Sequence, residues 1–150
     1  LASKIDGAKF LDVFAGTGSV GIEALSRGAK LAIFVENNRK VAEVLRQNLA
    51  MTGFADRSEV YCLDAAKAID VLDRAKAKFD IVFLGAPYGS TELAVVLKSL
   101  GNSSMIPAGG IVIAEHEKRS VLSDKYGSIN VGYASKPNKE PRFESAYNRV

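Results

Sequence analysis

Short apolar runs recur at residues 10–14, 31–36, 59–63, 79–84 and 111–115, and segments of helical periodicity separate them. Parallel strands cannot be joined by a tight turn and need a crossover, most often a helix. Five such runs with short connections confine the chain to an α/β fold with an open, mostly parallel, doubly wound sheet. The run Leu31-Ala32-Ile33-Phe34-Val35 contains no polar residue, the pattern of a strand covered by helices on both faces. A length of 150 residues suits one domain with one core.

The punctuation agrees. Gly28 is placed to stop a helix over residues 19–27, and Asn37 or Asn38 to cap the next one. In that second helix Val41, Val44, Leu45 and Leu49 have the spacing of a buried stripe. Helices are also expected over residues 65–74 and 91–100, with an irregular loop over 85–89. Beyond Lys118 the pattern weakens. Residues 126–134 fit a strand, and 136–141, which include Pro137 and Pro141, fit a turn or exposed loop. There is no internal repeat and no low-complexity segment.

The first apolar run leads directly into Gly16-Thr17-Gly18-Ser19-Val20-Gly21. Gly16 and Gly18 permit a tight turn and let a ligand approach bare backbone, while Gly21 lets the helix lie close to the sheet. Glu36 ends the second run, 20 positions after Gly16, where a carboxylate can accept both hydroxyls of a ribose. Strand, turn, helix and acid in register point to a nucleotide site, without saying which nucleotide. A dinucleotide would set its pyrophosphate on the helix N-terminus; S-adenosylmethionine has none and offers an amino-acid end instead. Asp12, just before the turn, can hold that cationic amino group or the sulfonium region, directly or through water. As a purely structural residue it would be a carboxylate in a nearly buried strand in need of a partner. Asp64-Ala65, after the third run, suits an adenine, with the carboxylate accepting from the exocyclic amine. The same aspartate can cap the following helix, and the two roles are compatible.

Composition narrows the class. A single cysteine, Cys62, excludes a disulfide framework and a cysteine-based zinc site, and points to a reducing compartment. Cys62 itself reads as core packing. No apolar run approaches the ~20 residues needed to span a bilayer, and the opening residues have no apolar core of a signal peptide. A soluble, cytoplasmic protein with no membrane partner is expected. The formal charge of +3 is unevenly distributed: Lys118 to the end carries seven basic and three acidic residues, the preceding 117 residues thirteen and fourteen. Lys118, Arg119, Lys125, Lys136, Lys139, Arg142 and Arg149 can meet phosphates or can form a solvated tail. His116, the only histidine, lies between Glu115 and Glu117, and a structural role outweighs metal binding or base catalysis there.

The stretch Leu11-Asp12-Val13-Phe14-Ala15-Gly16-Thr17-Gly18-Ser19-Val20-Gly21-Ile22-Glu23-Ala24-Leu25-Ser26-Arg27-Gly28-Ala29, then Phe34-Val35-Glu36, Asp64-Ala65 and Phe79-Asp80-Ile81-Val82-Phe83-Leu84 resemble the bacterial 16S ribosomal RNA guanine-N2 methyltransferase family. The similarity covers about residues 10–117. It implies a Rossmann-like fold of the class I S-adenosylmethionine-dependent methyltransferase type, with 16S rRNA or a small ribosomal subunit precursor as partner. It places Asp12, Phe14, Gly16, Thr17, Gly18, Glu36, Asn37, Asp64 and Ala65 in the cofactor site. It places Gly85, Ala86, Pro87 and Tyr88 in the catalytic loop, and implies no metal.

In that family the loop after the fourth strand reads Asp/Asn-Pro-Pro-Tyr. A guanine amine is a weak nucleophile because its lone pair is delocalised into the ring. An acceptor side chain and a backbone carbonyl can take its two N–H bonds and aim the lone pair at the methyl carbon, while the aromatic ring stacks on the base. Here the loop reads Gly85-Ala86-Pro87-Tyr88. The acceptor side chain and the first proline are missing. Losing one preorganised polar group raises a barrier by on the order of 3 kcal/mol, about 10²-fold in rate, so weakened methyl transfer is expected. The resemblance also implies a basic segment before the first strand; the chain begins Leu1-Ala2-Ser3-Lys4, within what reads as the helix entering the fold, so either it is a fragment or the segment is absent, and 1–150 reads as a single methyltransferase domain. Two other readings share the glycine turn. One is a non-catalytic S-adenosylmethionine- or RNA-binding module on the same fold. The other is an NAD-dependent oxidoreductase, which leaves Asp64 and Pro87-Tyr88 unexplained and lacks a Tyr-x-x-x-Lys pair.

Overall fold

The computed structural model describes residues 2–116, 122–130 and 143–147. Its elements run α1 (Ala2–Ile5), β1 (Lys9–Val13), α2 (Ser19–Ser26), β2 (Leu31–Val35), α3 (Arg39–Thr52), a 3₁₀ turn (Ala55–Arg57), β3 (Ser58–Tyr61) and α4 (Ala65–Arg74). β4 (Ile81–Leu84), α5 (Glu92–Asn102), β5 (Ile111–Glu115), β6 (Lys125–Tyr126), β7 (Ile129–Asn130) and β8 (Phe143–Tyr147) follow. The described strands form one sheet in the order β3-β2-β1-β4-β5-β8-β7-β6. β1 to β5 pair with one another in parallel, and β8 runs antiparallel to β5. The doubly wound parallel sheet expected from the alternation is therefore present.

Alternating side chains send each strand's residues to opposite faces. Leu11, Val13, Ile33, Val35, Val82 and Leu84 pack with Ala68, Ile69 and Leu72 of α4 and Val96, Leu97 and Leu100 of α5. Phe10, Ala32, Phe34, Ile81 and Phe83 pack on the other face with Ala24 and Leu25 of α2 and Leu45 and Leu49 of α3. Each of the Leu, Ile, Val and Phe side chains among them contributes ~1.5–3 kcal/mol when taken from water, so both helical layers are held by the sheet they cover. The chain winds from β1 outward through β2 to β3, then returns to β4 on the other side of β1. The order reverses between β1 and β4, and the carboxyl ends of the strands at such a reversal are where sheets of this kind take ligands.

Four expectations change. The buried stripe of α3 is Ala42, Leu45 and Leu49, while Val44 is 42% exposed. The helix is rotated so that the small Ala42 meets the sheet. Cys62 is exposed rather than packed in the core, because it follows the last residue of the edge strand β3. Within residues 126–130 the expected strand is instead a hairpin, β6 and β7 joined through Gly127 and Ser128. β8 was not anticipated. It forms where β5 would otherwise present an open edge, pairing from Ile111 with Tyr147 to Glu115 with Phe143. Residues 131–134, the 136–141 turn, and Lys118, Arg119, Lys136, Lys139, Arg142 and Arg149 lie outside the described residues.

Candidate functional site

The sequence-selected residues gather at the carboxyl edge of the parallel strands. Phe14 to Gly18 follow β1, Glu36 and Asn37 follow β2, Asp64 and Ala65 follow β3, and Gly85 to Tyr88 follow β4.

The turn after β1 is held in a demanding backbone conformation. Phe14, Gly16 and Gly18 all have positive φ, at 65°, 57° and 90°. For phenylalanine that is a sparsely populated region, kept only where the surroundings enforce it. Gly18 stands at the N-cap of α2 and supplies no side-chain cap. A Cβ at Gly21 would lie 2.3 Å from the Phe34 ring, so only glycine lets α2 approach β2 this closely. From below, Asp12 accepts a 2.9 Å hydrogen bond from the Gly21 amide. From the side, Asn48 of α3 donates its Nδ2 to the Thr17 carbonyl at 2.9 Å. Asn48 escaped the sequence reading. Its signal is a polar residue between Leu45 and Leu49, on the stripe that faces the sheet.

Asp12 is almost wholly covered, at 1% exposure. Burial pushes its carboxyl up to about 7 despite the Gly21 amide, which favours the ionised form; the charges of Glu115 and Glu36 add to the upward shift. The residue thus forms the floor of the site and pins the glycine turn.

Glu36 is half-buried and already oriented. One oxygen accepts from the Gly16 amide at 2.9 Å and the other from the Asn38 amide at 2.8 Å. A carboxylate has about four acceptor positions, so two remain for a ligand's hydroxyls. Asn38, not Asn37, caps α3, accepting from the Lys40 and Val41 amides at 3.0 and 3.2 Å. Asn37 is exposed beside Glu36, and its carbonyl accepts a long contact from Cys62 Sγ at 3.9 Å. Asp64 caps α4 by accepting from the Lys67 amide at 2.9 Å. That bond, with the Lys67 ammonium 3.4 Å away, holds its carboxyl below the ordinary range. Ala65 is buried as the first residue of α4.

The loop after β4 is closed by a turn in which Ser90 donates its amide to the Pro87 carbonyl at 3.2 Å. Ala86 is buried, whereas Tyr88 is 62% exposed with its ring at the surface. A crevice runs between this loop and the end of β5, lined by Ala86 to Ser90, Leu93, Glu115 and His116. Ser90 Oγ is buried there without a hydrogen-bond partner among the described residues. Among those residues no group of three or more His, Cys, Asp or Glu is placed to hold a metal ion. Nor is any helix among them long and apolar enough to cross a membrane.

Comparison with known proteins matches residues 1–139 to the family described as conserved hypothetical protein 95. The chain is 33% identical over 124 residues to the Bacillus subtilis protein named "Putative rRNA methyltransferase YlbH", covering 83% of this chain and 67% of that protein. It is 32% identical over 115 residues to "Ribosomal RNA small subunit methyltransferase D" of Haemophilus influenzae, covering 75% of this chain and 58% of that protein. The chain thus spans between 58% and 67% of the length of these two relatives. A solved Streptococcus pyogenes structure, described as a conserved hypothetical protein, superposes with a TM-score of 0.82 at 28% identity, covering 97% of this chain and 88% of that one.

Proposed function

This chain belongs to the family described as conserved hypothetical protein 95, and from that premise we propose that it is an S-adenosylmethionine-dependent methyltransferase acting on the exocyclic N2 of a guanine in 16S rRNA. The observation that carries this reading is the convergence of the glycine turn, Glu36, Asp64 and the Pro87-Tyr88 loop on one edge of the sheet. Relatives named as rRNA methyltransferases support the substrate class.

The residues fit the cofactor. A Cβ at Gly16 would meet nothing within 4 Å, so the turn offers open space over bare backbone. Gly16, Thr17 and Gly18 would lie along the amino-acid end, with Phe14 beside them. Glu36 keeps acceptor capacity for both ribose hydroxyls, with Asn37 adjacent. Asp64, fixed as a helix cap, would accept from the adenine amine, and the buried Ala65 would close the pocket. Asp12 acts beneath the turn, through its grip on Gly21 and through its charge. S-adenosylmethionine supplies an electrophilic methyl group on a positively charged sulfur. The protein's part is to hold the amine in line and keep its hydrogen bonds satisfied. The Gly85 carbonyl is one acceptor for the amine, Pro87 stiffens the loop, and the exposed Tyr88 ring offers a stacking surface for a base taken out of its RNA context. We place this reaction in the cytoplasm, on 16S rRNA or a small-subunit precursor.

The direct test is methyl incorporation into small-subunit rRNA, mapped by nuclease digestion and mass spectrometry. N2-methylguanosine is expected; a methyl group on another base, or none, refutes the assignment. One observation favours a second reading, a non-catalytic binding module: the loop has no acceptor side chain at positions 85 and 86. Cofactor binding without any incorporation would select it.

A further inference from the structure

We propose that Glu115 is the acceptor for the target base's amino group, taking the place of the side chain that position 85 lacks. The inference rests on the guanine-N2 reading above. β4 and β5 pair in parallel up to Leu84 with Ala114. The next residues, Gly85 just past β4 and Glu115 at the end of β5, where it still pairs with Phe143 of β8, therefore lie side by side, about one strand spacing of 4.8 Å apart. They also share a face. Phe83 pairs with Ile113, and the strand period of two assigns positions 85 and 115 to the same side as that pair. A Cβ at position 85 would meet the Phe83 ring at 3.0 Å, in agreement with that direction.

Glu115 lines the crevice that the catalytic loop forms with β5, and its charge is felt at Asp12, on the floor of the site. Guanine presents N1–H and the N2 amino group next to each other on one edge. A single carboxylate can accept from both, one oxygen to each. Adenine offers an acceptor beside its amine and cannot satisfy such a group. Burial raises the Glu115 carboxyl above its ordinary range, a penalty that two donated N–H bonds would offset.

The test uses the protein saturated with S-adenosylhomocysteine and a short single-stranded RNA carrying one guanosine, against the same RNA with inosine, which lacks the 2-amino group. Binding is read by fluorescence anisotropy at fixed salt. The native chain should prefer guanosine about tenfold, the weight of one hydrogen bond to a charged group. E115A should lose that preference, and E115A combined with G85N, which returns an acceptor at position 85, should recover part of it. Calorimetry at pH 8, where Asp12 is ionised with or without the Glu115 charge, should give E115A the native affinity for S-adenosylhomocysteine. No preference in the native chain, a preference retained by E115A, or a parallel loss of S-adenosylhomocysteine affinity each overturns the assignment. Methyl incorporation by the native chain separates the two levels. Incorporation with an unchanged guanosine preference in E115A sinks only the role of Glu115. A Glu115-dependent preference without incorporation sinks only the methyltransferase reading.

Discussion

Asp12 combines two properties rarely found together on a carboxylate: it is buried to 1% exposure, and it holds the Gly21 amide in the first turn of α2, beneath the proposed cofactor cradle. Its carboxyl, raised from 3.8 to about 7 chiefly by burial, binds a proton more readily in the folded chain than in the unfolded one. The resulting stability is fully present below about pH 4 and is lost as pH rises through 7. Between pH 5 and pH 8 this amounts to about 3 kcal/mol. Urea unfolding should show that loss in the native chain, and D12N, which cannot ionise, should lack this component. A cationic amino-acid end bound above the turn favours the ionised form. Affinity for S-adenosylhomocysteine should therefore rise up to about tenfold from pH 6 to pH 8, with proton release visible by calorimetry in buffers of different ionisation enthalpy. A flat pH profile would exclude this coupling.

Among elements, α2 depends most on a single small residue. Its third residue, Gly21, lies against Phe34, which has no exposed surface, and within reach of Asp12. G21A would drive a methyl group into the ring at 2.3 Å, so α2 must lift from the sheet. The expected destabilisation is ~1–3 kcal/mol by chemical unfolding, with a larger proportional loss of cofactor affinity because the turn moves with the helix. A G21A variant of native stability and affinity would show that α2 repacks freely. The order of β1 to β5 and the helices between them was readable in advance, and α4 and β5 have the expected bounds. Apolar periodicity and capping residues are local properties, and these elements are specified locally. The α3 stripe was misread because spacing alone does not tell Val44 from Ala42; the distance to the sheet does. β8 had no comparable local signal, since its strand character comes from the edge of β5.

For the whole molecule, binding and stability are linked by mass action. S-adenosylhomocysteine at 100 times its Kd should add about 2.7 kcal/mol to the folded state, raising Tm by roughly 5–10 °C for a domain of this size. NAD(H) should produce no comparable shift; a shift with NAD(H) alone would favour the oxidoreductase reading instead. The charge distribution acts at this scale as well. The nearly neutral first 117 residues contain every proposed cofactor residue, while the basic excess follows Lys118. Net charge therefore says little about an RNA partner, because the proposed cofactor site and the positive charge occupy different parts of the chain.

By itself the sequence determined the strand–helix order, the glycine turn and the place of Glu36 at the end of the next strand. Each is written in contiguous periodicity or in the stereochemistry of a single glycine. Tertiary structure decided the rest: the burial that raises Asp12, the hold of Asn48 on Thr17, the antiparallel β8, and the arrival of Glu115 beside Gly85. These depend on segments far apart in the chain meeting at one sheet edge. Desolvation and hydrogen-bond geometry exist only after they have met.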